Sequence, residues 1–148
     1  MKDLVIKPII RYQDERGWLA EVYRSDEISF APQMAYASYT KFGVKRGPHE
    51  HRFQSDYFVF LGPGDFDLYL WDNRQDSINF GEHLKITVGE SNPCLVIVPP
   101  GIVHGYQAIS EIGAFSLNLP DKLYKGEKKQ AEVDEIRHEV DPNSPYQI

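Results

Sequence analysis

The residues best suited to chemistry lie in two short runs. The first is Arg46-Gly47-Pro48-His49-Glu50-His51, followed by Gln54 and Asp56. The second is Pro99-Pro100-Gly101-Ile102-Val103-His104-Gly105-Tyr106. On an extended segment His49 and His51 point to one face, because strand side chains alternate with a period of two. Asp56 begins the next apolar run and can reach that face. His104 follows a Pro-Pro-Gly turn, which fixes the backbone as it enters another strand. Imidazole titrates near neutral pH, so this group can move protons. Three imidazoles and a carboxylate also make a donor set for Fe, Mn, Ni or Zn. On residue types alone both chemistries stay open. His83 and His138 stand among charged residues with no partner motif and read as surface groups.

These residues need strands to position them, and the rest of the chain reads as strands. Phe58–Leu61 is a short apolar run, and Gly62-Pro63-Gly64 after it reads as a hairpin turn. Asp65–Trp71 alternates strictly, with Phe66, Leu68 and Leu70 on one face. Met34–Thr40, Leu84–Val88, Leu95–Val98 and Ala114–Leu119 add candidates at spacings typical of a β-sandwich or barrel. Lys125–Ile136 is the best helical segment; with few apolar anchors it reads as a short surface helix or turn. Asp141–Pro145 reads as a loop or loose tail. The expectation is an all-β chain forming a single domain over residues 1–148: an N-terminal strand arm over about 1–24, a barrel over about 30–119 and a C-terminal tail over about 120–148.

A chain of 148 residues can bury a core without disulfides or a structural metal. The formal net charge of −6 argues against a nucleic-acid partner. Cys94, the single cysteine, lies in an apolar run and reads as buried and inert, which fits a reducing, cytoplasmic setting. No stretch approaches the ~20 apolar residues of a membrane helix, so no membrane association is expected.

Taken together, Gly43, His49-x-His51-x4-Asp56 and Pro99-x-Gly101-x2-His104 resemble the two-part cupin signature. That resemblance implies a jelly-roll β-barrel with both parts facing its interior. A closer resemblance spans about residues 4 to 119. Asp14–Arg24, Phe30-Ala31-Pro32-Gln33, Gly43–His49 and above all Ile97–Tyr106, ending in Ser110-Glu111, are similar to motifs of the dTDP-4-dehydrorhamnose 3,5-epimerase family. The resemblance implies a homodimer that acts on a nucleotide-linked sugar in polysaccharide biosynthesis. It would take a proton beside the 4-keto group of a dTDP-6-deoxy sugar, without a cofactor. It implies His49 as general base and His104 in the sugar pocket; His51 and Asp56, beside them in the first motif, complete the candidate catalytic set as groups that could orient His49. Arg16 and Glu21 would contact the nucleotide, reaching a neighbouring subunit, and Arg46 the diphosphate; Gln33, Tyr39 and Tyr106 would complete substrate binding.

Three positions depart from the family pattern. Its proton-donating tyrosine falls on Leu117, and its ketone-polarising lysine falls on Asp56. The aspartate that orients its catalytic histidine lies in a C-terminal segment with no match here. Tyr106, Tyr39 or Tyr57 would then have to serve as the acid. The His49-x-His51 pair also resembles 3,4-ketoisomerases of dTDP-4-keto-6-deoxyglucose, where two histidines shuttle protons on one sugar face. The other readings are a metal-dependent cupin enzyme using His49, His51, Asp56 and His104, and a non-catalytic nucleotide-sugar-binding homologue.

Overall fold

The computed structural model describes residues 1–148. Two five-stranded antiparallel sheets face each other. The first is built from β1 (Val5–Pro8), β4 (Tyr36–Thr40), β6 (Asp56–Phe60), β9 (Cys94–Val98) and β11 (Ala114–Asn118), in the order β1-β9-β6-β11-β4. The second is built from β5 (Lys45–Glu50), β7 (Asp65–Asp72), β8 (His83–Gly89), β10 (Ile102–Ala108) and β12 (Ile136–Arg137), in the order β12-β5-β10-β7-β8. A small hairpin, β2 (Tyr12–Asp14) with β3 (Gly17–Leu19), stands beside them. The all-β expectation holds, and each of the six apolar runs read from sequence contains or overlaps a strand.

Alternation sorts the side chains. Phe58 and Phe60 of β6, Phe66, Leu68 and Leu70 of β7, Val96 and Val98 of β9, and Ile102, Tyr106 and Ala108 of β10 form one buried cluster between the sheets. Burying a side chain of this size stabilises the fold by about 1.5–3 kcal/mol. Cys94 belongs to this cluster, 2 % exposed, and burial pushes its thiol up to about 11. The other parity of β6, Tyr57 and Val59, joins Ile9 and Leu95 in a second cluster on the outer face of the first sheet. Val22, Tyr23, Ile28 and Phe30 of the N-terminal segment pack on that cluster.

The C-terminal segment takes the turn and the loop among the forms expected of it, not the helix. No surface helix forms over 125–136; a 3-10 turn at Glu127–Lys129 is followed by β12, which pairs with the edge of β5. The chemistry explains it: the stretch has no apolar stripe to hold a helix, while β5 offers an unpaired edge. The 141–145 stretch is the expected loop, anchored where Ser144 is buried and its backbone N–H donates to the Asp141 carbonyl. No helix of the chain is long and apolar enough to cross a membrane.

Candidate functional site

Strand β5 carries the first motif into the space between the sheets. It pairs with β10 so that His49 lies opposite His104, while Arg46 lies opposite Tyr106. Three residues of β5 thus span two of β10, which marks a β-bulge. Gly47 sits in it at φ +76, where a Cβ would come within 2.7 Å of the His104 carbonyl oxygen. The bulge has a geometric consequence. Residues three apart on a regular strand point to opposite faces, yet here Arg46 and His49 line one pocket. Beyond the bulge, period two places His49 and His51 together, as their spacing predicts.

The four candidate catalytic residues converge. Donor atoms of His49, His51, Asp56 and His104 all lie within 4.8 Å of one another. His51, Asp56 and His104 are buried, and His49 is half-buried at the opening. Nε2 of His51 and Nε2 of His104 each approach Asp56 Oδ2 at 3.1 Å. The other carboxylate oxygen, Oδ1, accepts from Gln54 Nε2 and from Asn118 Nδ2, both at 2.9 Å. The His49 ring lies 4.6 Å from that of His104 and 5.4 Å from that of His51, centroid to centroid.

Charge is distributed unevenly over this group. Burial alone would raise the Asp56 carboxyl, but His104 and His51 hold it well below the usual carboxylate range. Burial likewise opposes charge on His51, yet Asp56 and the Asp134 carbonyl raise its pKa above that of an ordinary imidazole. His49 goes the other way: burial first, then the neighbouring His104 and His51, lower it to about 2. At neutral pH His49 is therefore an unprotonated imidazole with a free lone pair.

The pocket in front of these groups has a volume of about 580 Å³ and is shared by both sheets and the C-terminal segment. The second sheet supplies Arg46, His49 and Tyr106; the first supplies Tyr36, Ser38 and Phe58; the C-terminal segment adds Glu135, Arg137 and Glu139. Arg46 is braced by Nε to Thr40 Oγ1 at 2.8 Å and by Nη2 to the Tyr39 carbonyl at 3.1 Å. Tyr106 is 6 % exposed, and burial raises its phenol pKa.

The remaining sequence candidates lie elsewhere. Tyr39 turns away from the pocket and donates to the Ile112 carbonyl at 2.8 Å; its odd parity relative to Ser38 and Thr40 sends it to the other face. Tyr57 also faces outward, donating to the Val22 carbonyl at 2.8 Å. Arg16, with a side chain 83 % exposed, pairs with Asp14 on the small hairpin. Glu21 pairs with Arg24 and lines a separate cavity of about 210 Å³ with Lys7, Tyr23 and Tyr57. Gln33 is exposed and its backbone N–H donates to the Pro120 carbonyl. Leu117 lies among the partly buried residues packed on the outer cluster, while Asn118 beside it reaches Asp56.

Sequence reading missed two contributors. Tyr36 lines the pocket, with its hydroxyl 2.8 Å from Asn118 Nδ2. Although the residue is 43 % exposed, desolvation of the hydroxyl and the nearby Asp56 charge raise its pKa, so the phenol keeps its proton. Its parity with Ser38 and Thr40 was the available signal. The other is Asp134. Its carbonyl faces His51 Nδ1, and its carboxylate accepts from the backbone N–H groups of Arg52, Phe53 and Gln54 at 3.1, 2.9 and 3.0 Å. It thereby ties the C-terminal segment to the loop that follows the first motif.

Comparison with known proteins gives a consistent picture. The family model described as dTDP-4-dehydrorhamnose 3,5-epimerase matches residues 1–141. The "Probable low-salt glycan biosynthesis epimerase Agl13" of Haloferax volcanii is 35 % identical over 133 residues, covering 88 % of this chain and 85 % of its own. The "Spore coat polysaccharide biosynthesis protein SpsL" of Bacillus subtilis is 35 % identical over 108 residues, covering 72 % of this chain and 70 % of its own. Among solved structures, a dTDP sugar isomerase from Desulfovibrio desulfuricans shares the fold. It superposes with a TM-score of 0.85 at 19 % identity, over 99 % of this chain and 90 % of that one.

Proposed function

Because the chain belongs to the dTDP-4-dehydrorhamnose 3,5-epimerase family, we propose that it epimerises or isomerises a nucleotide-linked 4-keto-6-deoxy sugar, with His49 as the base. The observation that carries this reading is geometric: His49 stands at the opening of a pocket of about 580 Å³ that Arg46 also lines, and burial with the neighbouring His104 and His51 favours its neutral form. That volume suits a small-molecule site. A C–H next to a ketone is acidified by the carbonyl, and its removal leaves an enolate. His49 takes that proton. The negative charge that develops beside the imidazolium offsets the burial and repulsion that otherwise keep His49 neutral. Arg46 presents a planar guanidinium fork suited to diphosphate oxygens.

Return of a proton from the far side needs an acid on the other wall. Tyr36 stands on the first sheet and His49 on the second, and the Tyr36 phenol is protonated at neutral pH. Tyr36 therefore takes the role that Leu117 cannot, since Leu117 packs on the outer cluster. Inversion at a carbon next to the ketone requires both groups. Proton return by His49 itself gives exchange with retention.

The same reading makes the active form a homodimer. The exposed Tyr12, Trp18 and Leu19 of the small hairpin support it, as does the outlying position of Arg16. Light scattering at micromolar concentration should give twice the mass of the chain; a monomer would remove the arm from the site. The activity itself is tested by incubating the protein with a dTDP-4-keto-6-deoxy sugar in D₂O and following the product by NMR. Deuterium should enter next to the ketone, and Tyr36→Phe should leave exchange in place while removing inversion. No deuterium uptake with any 4-keto-6-deoxy sugar would overturn the reading.

A further inference from the structure

Strand β12 lays a cation beside the base. In its pairing with β5, Arg137 lies opposite His49, and on the other side of β5 His104 lies opposite the same His49. Residues directly opposite on antiparallel strands share a face, with Cβ atoms about 5 Å apart. The row His104, His49, Arg137 therefore crosses the second sheet and ends on its edge strand, and both His49 and Arg137 line the pocket. Electrostatics agrees with the register. Burial is the largest influence keeping His49 neutral, and the Arg137 charge is among those that lower its basicity further. A guanidinium felt by the imidazole is near enough to act on a carbonyl oxygen one carbon away from the proton that the imidazole removes.

The side chain is held for such a role. Nε and Nη2 of Arg137 both donate to Glu135 Oε2, at 2.7 and 2.6 Å, which fixes the guanidinium plane and leaves Nη1 without a protein acceptor. Glu135 is only 18 % exposed and also lines the pocket. The pocket's other cations are placed differently. Lys45 is engaged by the Ile148 carbonyl. Arg46 lies beyond the bulge, opposite Tyr106, with Nε and Nη2 committed to Thr40 and Tyr39.

Removing a proton beside a ketone leaves negative charge on the ketone oxygen, and a donor aimed at that oxygen is usually the largest single contribution to such a step. Asp56 already places one negative charge among the histidines, so an enolate forming there needs a cation of its own. We propose that Arg137 is that cation, donating to the ketone oxygen of the substrate while His49 takes the neighbouring proton. This rests on the enolising reaction proposed above and supplies the charge partner which that reaction leaves unassigned. The C–H bond breaks and its proton goes to His49. Its electron pair becomes the C=C bond of the enolate, and the carbonyl π pair moves onto oxygen, where the Arg137 N–H meets it. Return of a proton to carbon, from His49 or Tyr36, reverses the shift, so the step needs no oxidant and no co-reactant. Arg137 thereby makes the C-terminal segment part of the catalytic machinery and not only a wall of the pocket.

The test follows deuterium entry from D₂O into a dTDP-4-keto-6-deoxy sugar, at saturating sugar, in full-length variants shown folded by circular dichroism. Arg137→Gln should slow entry by about 100-fold, the low end for loss of one stabilising donor, because the side chain is 54 % exposed before substrate covers it. Its dTDP affinity should stay within about twofold, since the lost interaction belongs to the transition state. Arg137→Lys keeps the charge without the planar fork and should fall between wild type and Arg137→Gln. Guanidinium added to Arg137→Ala, far below unfolding concentrations, should restore part of the exchange, which a merely structural role would not allow. Arg46→Gln should show the opposite split, with weaker dTDP binding and a smaller loss of exchange at saturation. The inference is overturned by exchange at the wild-type rate in Arg137→Gln, by a loss of dTDP affinity in step with the loss of exchange, or by a folded Arg137→Ala that guanidinium leaves inert. In each of these cases the wild type still exchanges and His49 keeps its role. A wild type that exchanges with no such sugar removes Arg137's role together with the reaction beneath it.

Discussion

The two terminal segments do opposite work on the two sheets. Residues up to Phe30 cover the outer face of the first sheet with apolar side chains, laying Val22, Ile28 and Phe30 on Tyr57, Val59 and Leu95. The residues after Pro120 bring polar groups instead. Asp134 holds the loop after His51, Glu135 and Arg137 line the pocket, and His138 lies 3.1 Å from the buried Glu50. The first segment stabilises the barrel, while the second completes its site. A cover made of apolar contacts tolerates variation in detail. A polar cover depends on individual donors and acceptors, each of which is costly to lose.

That contrast is broken most directly by removing apolar packing from one segment and a carboxylate from the other. Phe30→Ala, which strips the ring that lies 5.3 Å from Tyr57, should cost about 3 kcal/mol, the low end for such a truncation because Phe30 is half-buried. Urea unfolding measures it, and nucleotide affinity should be unaltered. A collapse of deuterium exchange in the folded Phe30→Ala protein would mean that the N-terminal segment also shapes the site. Asp134→Ala hands three largely solvent-accessible backbone donors to water and should cost about 1 kcal/mol. It should also slow exchange, because the loop that positions His51 loses its tie to the C-terminal segment. Stability loss with unchanged exchange would reduce Asp134 to a structural clasp.

Smaller changes sharpen the same contrast. Tyr57→Phe removes one hydroxyl that donates to Val22, and about 1 kcal/mol of stability should go with it, with no effect on exchange. The pH dependence separates His49 from its neighbours in metal-free protein. An imidazole lowered from 6.5 to about 2 on folding binds its proton in the unfolded chain first. Its contribution is complete above pH 6.5 and is lost as the pH falls below that value. His51, raised on folding, has the opposite sign: its contribution is present below 6.5 and fades as the pH rises through its folded value. His49→Gln should therefore flatten the fall of Tm between pH 7 and pH 5, by a few degrees at most. An identical acid slope in wild type and variant would contradict a neutral His49.

The same contrast explains what the residue string disclosed. Phe66, Leu68 and Leu70 announce their strand because burying one face demands alternation, and His49 and His51 follow by the same parity. The second motif places His104 because the strand after its Pro-Pro-Gly turn has a fixed phase. The bulge at Gly47 is invisible to such reasoning, since one extra residue rephases Arg46 without changing composition. Residue type alone does not separate Tyr36 from Tyr39, though only the even positions of that strand face inward. The C-terminal contributors were illegible for a physical reason. Glu127–Arg137 has no apolar period, and its structure comes from hydrogen bonds to partners some 80 residues away, such as Asp134 to Phe53.

In the proposed reaction His49 takes the proton next to the ketone. Metal-free wild type and His49→Gln, each incubated with a dTDP-4-keto-6-deoxy sugar in D₂O, give the decisive comparison, because glutamine keeps the polarity of the site and cannot accept the proton. Deuterium incorporation should fall by at least about 100-fold, within the range for loss of a general base, while dTDP affinity stays within about twofold. Exchange at the wild-type rate in His49→Gln would contradict the account.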